Sequence, residues 1–491
     1  MKRWELQRDL DASSGEPLFL QLVRAVTADI AGARLAPGDR LPGSRTLAQT
    51  LRINRNTVLA AYAELAAEGW VVTRPAGGTF VASPLDPTRP RHPTETRAQS
   101  HLRAGYTLPP LALPDAHWEL GGLRPGMLVM SRGAPDTRLF PLAELARAYR
   151  RVLLRYGRKL LFYGDPRGHE RLRTALSTMV ATKRGIGATP ETLLVTRGSQ
   201  MALDLVARAL LKPGDVVAVE ELGNPIVHNL LRLAGTELSA LPVDAEGLST
   251  DALERLARER PVRAVYVTPH HQFPTTTVMS ASRRKALLAL AARHRFAIIE
   301  DDYDHEFHYD ARPVAPLASA DHGGTVIYIA TLSKIIAPGL RMGFVVAPAD
   351  VIDRLAQLRR LMDIQGDLAM ECAIAELFEA GEIQRHVHRV RSIYARRRDT
   401  LIAALHRDLH EEVTVMPPPG GMAVWAKISP PLDVETWSRA AEAHGVAFRA
   451  GSWYDVRGRA HPFTRLAFTF LDEAELAEAV RRMASAVRTA R

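Results

Sequence analysis

The sequence predicts an α/β protein in two parts: a small helical unit ending in a hairpin, then a much larger unit built on a mostly parallel sheet. Three observations predict it. Helical periodicity fills residues 17–67, and two short strands around a glycine turn follow. A proline-dense stretch from Pro84 to Pro125 then interrupts both helix and strand patterns. Beyond it, short and continuously apolar strands alternate with helical patterns, as they do in a parallel sheet covered on both faces.

Composition sets outer bounds. A chain of 491 residues suggests about three domains at roughly 150 residues each. With 46% hydrophobic and 24% charged residues it is ordinary globular material. The net charge of +10 permits a nucleic-acid partner without requiring one. The single cysteine, Cys372, excludes an intrachain disulfide and multi-cysteine zinc or iron–sulfur sites. It favours a reducing, cytoplasmic setting. Met1 to Glu5 opens no apolar stretch of the kind a signal peptide needs, and no apolar run approaches the ~20 residues of a membrane helix.

The N-terminal unit, residues 1–82, is expected to hold three helices and a hairpin. Leu18, Leu22, Val26 and Ile30 recur every four residues, so Pro17 to Arg34 reads as a helix that Pro37-Gly38-Asp39 stops. Ser44 reads as the N-cap of a short helix through Leu51. Asn54 caps a third, whose inner face is Val58, Tyr62 and Leu65, with Gly69 at its end. Trp70 to Thr73 and Thr79 to Val81 flank the turn. This is the order of a winged helix-turn-helix. Arg55, Asn56 and Thr57 open the third helix and are placed to meet base edges, while Arg45 and Arg74 are placed to hold the backbone on either side. The competing reading is a helical dimerisation domain with solvated arginines.

These segments carry a resemblance. Pro17-Leu-Phe-Leu-Gln21, Gly38-Asp-Arg-Leu-Pro42, Ser44-Arg45, Asn54-Arg-Asn-Thr-Val58, Glu68-Gly69 and Gly78-Thr-Phe-Val81 together resemble the GntR-family DNA-binding domain. The resemblance implies a double-stranded DNA partner.

Residues 83–125 read as a linker, and residues 126–491 as the large unit, with a smaller α+β subdomain within 350–491. The expected strands are Thr192–Val195, Val216–Val219, Ala264–Val267, Ala297–Ile299, Val326–Ile329, Phe344–Val346 and, late in the chain, Thr464–Phe470. Chemistry-bearing residues gather at the strand ends, where open α/β sheets build ligand sites. Glu300-Asp301-Asp302-Tyr303 follows one strand. Arg197-Gly198-Ser199 lies between another strand and a helix, where backbone N–H groups suit a phosphate. Thr331, Ser333 and Lys334 follow a third strand, with Arg341 after the Pro338-Gly339 turn. Thr268-Pro-His-His-Gln-Phe-Pro-Thr275 follows a fourth, and His270 and His271 are expected to line that turn toward the same site rather than ligate a metal.

An amine, a carboxylate, a phenol and a phosphate cradle are what pyridoxal phosphate requires. Lys334 can form the aldimine, Asp301 can keep the pyridine nitrogen protonated, and Tyr303 can hydrogen-bond the ring oxygen. Gly198, Ser199, Thr331 and Arg341 can hold the phosphate. Tyr163-Gly-Asp-Pro-Arg-Gly168, Glu300-Asp-Asp-Tyr-Asp304 and Ser333-Lys334 with Ala337-Pro-Gly-Leu-Arg341 resemble the MocR/GabR-type regulators. The resemblance implies a fold-type I, aminotransferase-like domain with a seven-stranded-type sheet, a head-to-tail homodimer, an amino-compound effector, and Arg465 as the clamp for its α-carboxylate. Three positions depart from the pattern: Asn224 where an aromatic would stack on the ring, Thr276 where glycine is usual, and Ala330 likewise. A working aminotransferase carrying a DNA-binding domain is the first alternative. A DNA-binding protein whose large domain only dimerises is the second.

Two further features are weighed. Asp301, Asp302, Asp304, His305, Glu306, His308 and Asp310 could suggest a metal site. The spacing lacks His-Glu-x-x-His, and consecutive strand residues face opposite ways, so no metal is expected. The basic run Arg385 to Arg391 with Arg396 to Arg398 is read as a solvated helix or subunit interface rather than a DNA contact. Cys372 is expected to be a small buried hydrophobe.

Overall fold

The computed structural model describes residues 10–11, 13–74, 77–82, 104, 106–108, 125–131, 133–309 and 314–490. The chain forms two compact units, divided between Leu111 and Ala112. The connection expected at 83–125 lies almost wholly outside the described residues, as do Pro75 and Ala76 of the wing turn and Asp310.

In the small unit, helices Leu18–Ala31, Ser44–Leu51 and Arg55–Ala67 precede an antiparallel hairpin of Val71–Arg74 and Gly78–Val81. Leu22, Val26, Val58, Tyr62 and Leu65 close the core, with Val71 and Val81 of the hairpin laid over it. The Tyr62 hydroxyl donates to the Pro42 carbonyl at 2.7 Å. The first helix stops at Ala31, earlier than the periodicity suggests. Ala33 turns into the left-handed region, and Arg34 folds back onto the buried Asp29. Ser44 is not the cap of the second helix. Gly43 takes that position, and the Ser44 hydroxyl instead accepts from Arg55 Nε at 3.3 Å. Asn54 does cap the third helix, its side chain accepting from the Asn56 N–H at 2.8 Å.

The large unit is built on a seven-stranded sheet in the order Leu193–Thr196, Gly343–Val346, Val326–Thr331, Ala297–Asp302, Val262–Val267, Val216–Glu220, Glu237–Leu241. Gly343–Val346 runs antiparallel to both neighbours, and every other pairing is parallel. The inner strands are buried on both faces, which is why they read as unbroken apolar runs. The edge strand Glu237–Leu241 was not legible: its polar positions and half-exposure break that pattern. Helices pack against both faces, and Cys372 is buried in one of them, Leu368–Glu379.

The C-terminal subdomain sets helices Glu382–Leu409, Val434–Ala443 and Glu473–Ala490 beside a three-stranded antiparallel sheet. Its strand Phe463–Ala467 is shorter than the Thr464–Phe470 expectation, and the middle strand Ala423–Ile428 pairs Trp425 with Arg465. The short strand Leu128–Val129, far earlier in the chain, joins this subdomain by pairing with Val446–Ala447. The basic run is corrected in part. Arg397 and Arg398 are buried rather than solvated: Arg397 pairs with Asp136 at 2.9 Å and Arg398 donates to the Pro418 carbonyl at 2.9 Å. Among the described residues no helix is long and apolar enough to cross a membrane.

Candidate functional site

Two sites emerge, one in each unit. On the small unit, Arg45, Arg55, Asn56 and Arg74 are exposed, with Ser44 and Thr57 half-buried among them. The Arg55–Ser44 hydrogen bond ties the first turn of the third helix to the helix before it. Arg55 is thereby held at the helix N-terminus, where base edges and phosphates are met. Arg74 lies on the wing with its guanidinium 5.0 Å from the centre of the Phe80 ring. An arginine braced this way loses less side-chain freedom on meeting a phosphate.

In the large unit, the sheet order draws the strand-end residues together. Gly343 pairs with Thr196 on one side and Thr331 on the other. That register carries Arg341, just before Gly343, onto the turn at Gly198. Gly198 has φ 81° and ψ 174°, a region essentially reserved for glycine. A Cβ there would lie 3.2 Å from Arg341 Nη2. The guanidinium is fixed by donating to the Arg197 carbonyl at 3.2 Å. Ser199 opens the twelve-residue helix Ser199–Leu210, so its unpaired backbone N–H groups face the same place. Thr331 Oγ1 accepts from the Ser333 N–H at 3.1 Å, which shapes the turn that carries Lys334.

Asp301 is the last residue but one of Ala297–Asp302, the strand at the centre of the sheet. Tyr266, on the neighbouring strand, donates its hydroxyl to Asp301 Oδ2 at 2.8 Å. Asp301 Oδ1 is buried and has no hydrogen-bond partner. Burial pushes the Asp301 carboxyl up to about 6, against the pull of the Tyr266 hydrogen bond and the Lys334 charge. A buried acceptor that lacks only a donor suits a protonated ring nitrogen. Tyr266 is a member of the site that sequence reasoning missed. Its one signal was a phenol inside an otherwise aliphatic strand.

Lys334 Nζ donates to the Gly133 carbonyl. Arg465 reaches the same residue: a Cβ on Gly133 would lie 3.0 Å from its Nη1. Arg465 is buried, its Nε has no hydrogen-bond partner, and its guanidinium lies 4.8 Å from the centre of the Phe273 ring. Gly133 is therefore met by both an amine and a guanidinium. No sequence signal marked it.

Other expected site residues are placed differently. Tyr303 donates its hydroxyl to the His271 carbonyl at 3.0 Å, leaving the phenol oxygen able to accept. The His271 ring turns away from Tyr303: its Nδ1 pairs with Asp304 at 2.8 Å and its edge presses on Gly420. His271 contributes a carbonyl here, not an imidazole. Asn224 caps the helix Pro225–Leu233, its Oδ1 accepting from the Ile226 N–H at 3.0 Å. Thr276 adopts φ 63°, a conformation that favours glycine.

Comparison with known proteins identifies both units. Residues 125–483 match the family model "Aminotransferase class I and II", and residues 18–81 match "Bacterial regulatory proteins, gntR family". The chain is 34% identical over 441 residues to the probable rhizopine catabolism regulatory protein MocR of Rhizobium meliloti, covering 89% of this chain and 87% of that one. It is 30% identical to the HTH-type transcriptional regulator TauR of Rhodobacter capsulatus, covering 95% and 96%. It is also 34% identical to the 2-aminoadipate transaminase of Thermus thermophilus, covering 74% of this chain and 91% of that enzyme. Among solved structures, the multiple substrate aminotransferase of Thermococcus profundus superposes with a TM-score of 0.72 at 30% identity, covering 77% and 96%. The α-aminoadipate aminotransferase LysN of Thermus thermophilus, solved with N-(5'-phosphopyridoxyl)-L-leucine, gives 0.69 at 30% identity, covering 74% and 93%.

Proposed function

Since the chain belongs to the MocR/GabR-type transcriptional regulators, which join a gntR-type DNA-binding domain to an aminotransferase class I and II domain that takes pyridoxal phosphate, we propose that it senses an amino acid or related amine at Lys334 and answers at DNA. The observation that carries this reading is the meeting of Lys334 and Arg465 at Gly133, within a chain that also holds a DNA-binding domain. Pyridoxal phosphate, when bound, supplies a carbonyl that condenses with amines and a ring that accepts electrons.

The residues divide the work. Gly198, Ser199, Thr331, Ser333 and Arg341 hold the phosphate through backbone N–H groups, hydroxyls and one guanidinium. Asp301 Oδ1 takes the ring N–H that its surroundings leave it without. Tyr303 donates to the His271 carbonyl and would stand beside the ring oxygen. Lys334 is the amine that would hold the cofactor. Arg465 binds the ligand's carboxylate, which offers a partner to a buried cation.

Transmission follows the chain. Gly133 lies a few residues past Leu128–Val129, the strand that pairs with Val446–Ala447. A ligand that relocates Lys334 and engages Arg465 alters both contacts around Gly133, in the segment leading back toward the DNA-binding unit. It shifts the response only by binding one arrangement better than the other.

The reading includes a homodimer. Leu154, Leu161, Phe162, Tyr163 and Leu361 are exposed by 71% or more of their surface, and the Gly164 N–H donates to Gln365, which ties two of these stretches together. Exposed apolar side chains brought together by this contact suit an interface with a second copy. Two winged helices would then meet two half-sites in the cytoplasm. The reading is tested by titrating purified protein with amino acids while following the cofactor absorbance and operator binding together. A response of both to the same ligand is expected. Operator binding that ignores every ligand able to change the cofactor spectrum would overturn it. The second reading, a working aminotransferase, is favoured by the 34% identity to a transaminase, and sustained turnover with an oxo-acid acceptor would establish it.

A further inference from the structure

Behind the cofactor face of the sheet, the structure gathers a second set of functional side chains. His270 lies on the turn after Val262–Val267. Asp302 ends the strand Ala297–Asp302. His305 lies three residues further on. One ligand atom from each of the three lies within 4.8 Å of the other two, and all three side chains are more than nine-tenths buried. Among the described residues, His270 Nδ1 and Asp302 Oδ1 have no hydrogen-bond partner. His305 Nδ1 approaches Asp302 Oδ2 to 2.9 Å but outside hydrogen-bonding geometry.

We propose that His270, Asp302 and His305 bind a first-row divalent metal ion, with zinc the best match. Two imidazoles and one carboxylate are a donor set that zinc takes readily, leaving a fourth position for water. The His270 and His305 ring centres are 4.5 Å apart and tilted by 33°. Two imidazoles on one tetrahedral zinc ion, each nitrogen at about 2.0–2.1 Å, have ring centres roughly 5 Å apart, so a small movement of the rings would admit the ion. Unpaired buried donors and acceptors are costly, and one ion at their centre would satisfy them together.

Neighbouring strand residues do face opposite ways, and Asp301 and Asp302 do so: Asp301 receives Tyr266, and Asp302 receives the Tyr328 hydroxyl at 2.7 Å. The cluster takes only Asp302 from the strand and both imidazoles from turns. Tyr328 itself receives a hydrogen bond from Arg184, whose other arm holds Glu306, so the carboxylate of Asp302 is oriented from behind. Glu300, Asp301, Asp302, Asp304 and Glu306 crowd this strand end against the cations Arg184 and Arg284, so added positive charge is favoured. The role assigned to the ion is structural: it fixes the strand end that carries Asp301.

The test uses the full-length protein, treated with a chelator, desalted and reloaded with zinc alone. Metal per chain is read by elemental analysis, and cobalt(II) substitution reports the ligand field by visible absorbance. One equivalent per chain is expected, with a cobalt spectrum of low coordination number. His270→Ser and His305→Ser should each weaken zinc binding at least tenfold, while His388→Ser, on an exposed helix position, leaves it unchanged. Circular dichroism identifies a variant that fails to fold, and the other histidine variant then decides. Absence of stoichiometric metal in the native protein, or full retention of metal in the folded histidine variants, would overturn the proposal.

Discussion

The Tyr266 hydroxyl spends its one donor on Asp301 Oδ2, and so leaves Oδ1 as the acceptor without a partner. The phenol fixes the carboxylate's orientation and supports its charge. Tyr266→Phe should therefore destabilise the cofactor-free protein by about 1–3 kcal/mol, the usual cost of a buried polar group left unpaired. It should also loosen pyridoxal phosphate. Denaturant unfolding of the cofactor-free protein and a fluorescence titration with the cofactor read the two effects. Equal stability and equal affinity would show that the hydrogen bond orients nothing.

The same carboxylate predicts a pH dependence. Burial raises Asp301 to about 6, so in the cofactor-free protein it binds a proton below that pH. Pairing with a protonated ring nitrogen requires the carboxylate form, so binding below pH 6 releases that proton. Affinity should fall toward tenfold per pH unit as pH drops below about 6. The cofactor's own phosphate also titrates in this range, and Asp301→Asn isolates the carboxylate: the difference in slope between the two proteins is Asp301's part. Without the cofactor the sign is opposite. A folded-state value above the unfolded one stabilises below the unfolded value, and that contribution is lost as pH rises through about 6. Identical slopes in the two proteins would remove Asp301 from the pairing.

Gly133 offers a way to separate holding the cofactor from sensing the ligand. A Cβ at this position meets Arg465 Nη1 at 3.0 Å, so Gly133→Ala displaces the guanidinium and leaves Lys334 its backbone carbonyl. The absorbance of bound pyridoxal phosphate should persist, while affinity for an amino-acid ligand drops about tenfold, or roughly 1.4 kcal/mol. Arg465→Ala should abolish the ligand response altogether. Lys334→Ala should lose the cofactor band. If Arg465→Ala responds to amino acids as the native protein does, the carboxylate is bound elsewhere.

Most of the site was legible because its chemistry needs particular residue types at strand ends. Lys334, Asp301, Gly198 and Arg341 each follow or precede an apolar strand, and strand order then brings them together. What was not legible depends on contacts across the fold. Gly133 matters because a lysine and an arginine from distant segments both reach it. His271 was expected to line the cofactor turn, and the partner of its ring, Asp304, lies thirty-three residues away. Ser44 looked like a cap because its residue type favours one, yet Arg55 takes its hydroxyl. The edge strand Glu237–Leu241 and the pairing of Leu128–Val129 with Val446–Ala447 lack the apolar runs by which the inner strands are recognised.

On the small unit, the division between base reading and backbone holding is measurable. Arg55→Ala should cost about 1–3 kcal/mol on the cognate operator and relax preference at one base position. Arg74→Ala should weaken cognate and unrelated DNA alike and reduce the salt dependence of binding. Titrations at two salt concentrations on both kinds of DNA distinguish these outcomes. Unchanged affinity in both variants would mean that another face meets DNA.

Thr276 carries strain that the fold can release. A β-branched residue at φ 63° sits in the left-handed region, which costs an L-residue about 1–2 kcal/mol. The backbone is held there by a hydrogen bond from the Thr276 N–H to the Gln272 carbonyl at 2.7 Å, inside the turn that also presents His270 and His271. Glycine adopts this conformation freely but adds about 0.5–1 kcal/mol of unfolded-state freedom. Thr276→Gly should therefore stabilise by about 0.5–1 kcal/mol, and Thr276→Ala should not, since it keeps the strain and loses packing. Unfolding midpoints in denaturant, at unchanged slope, measure both. A turn relaxed by glycine also holds Phe273 less firmly beneath Arg465, so ligand affinity should fall as stability rises. A Thr276→Gly protein that is less stable than the native one would show that the threonine side chain contributes more packing than its backbone costs.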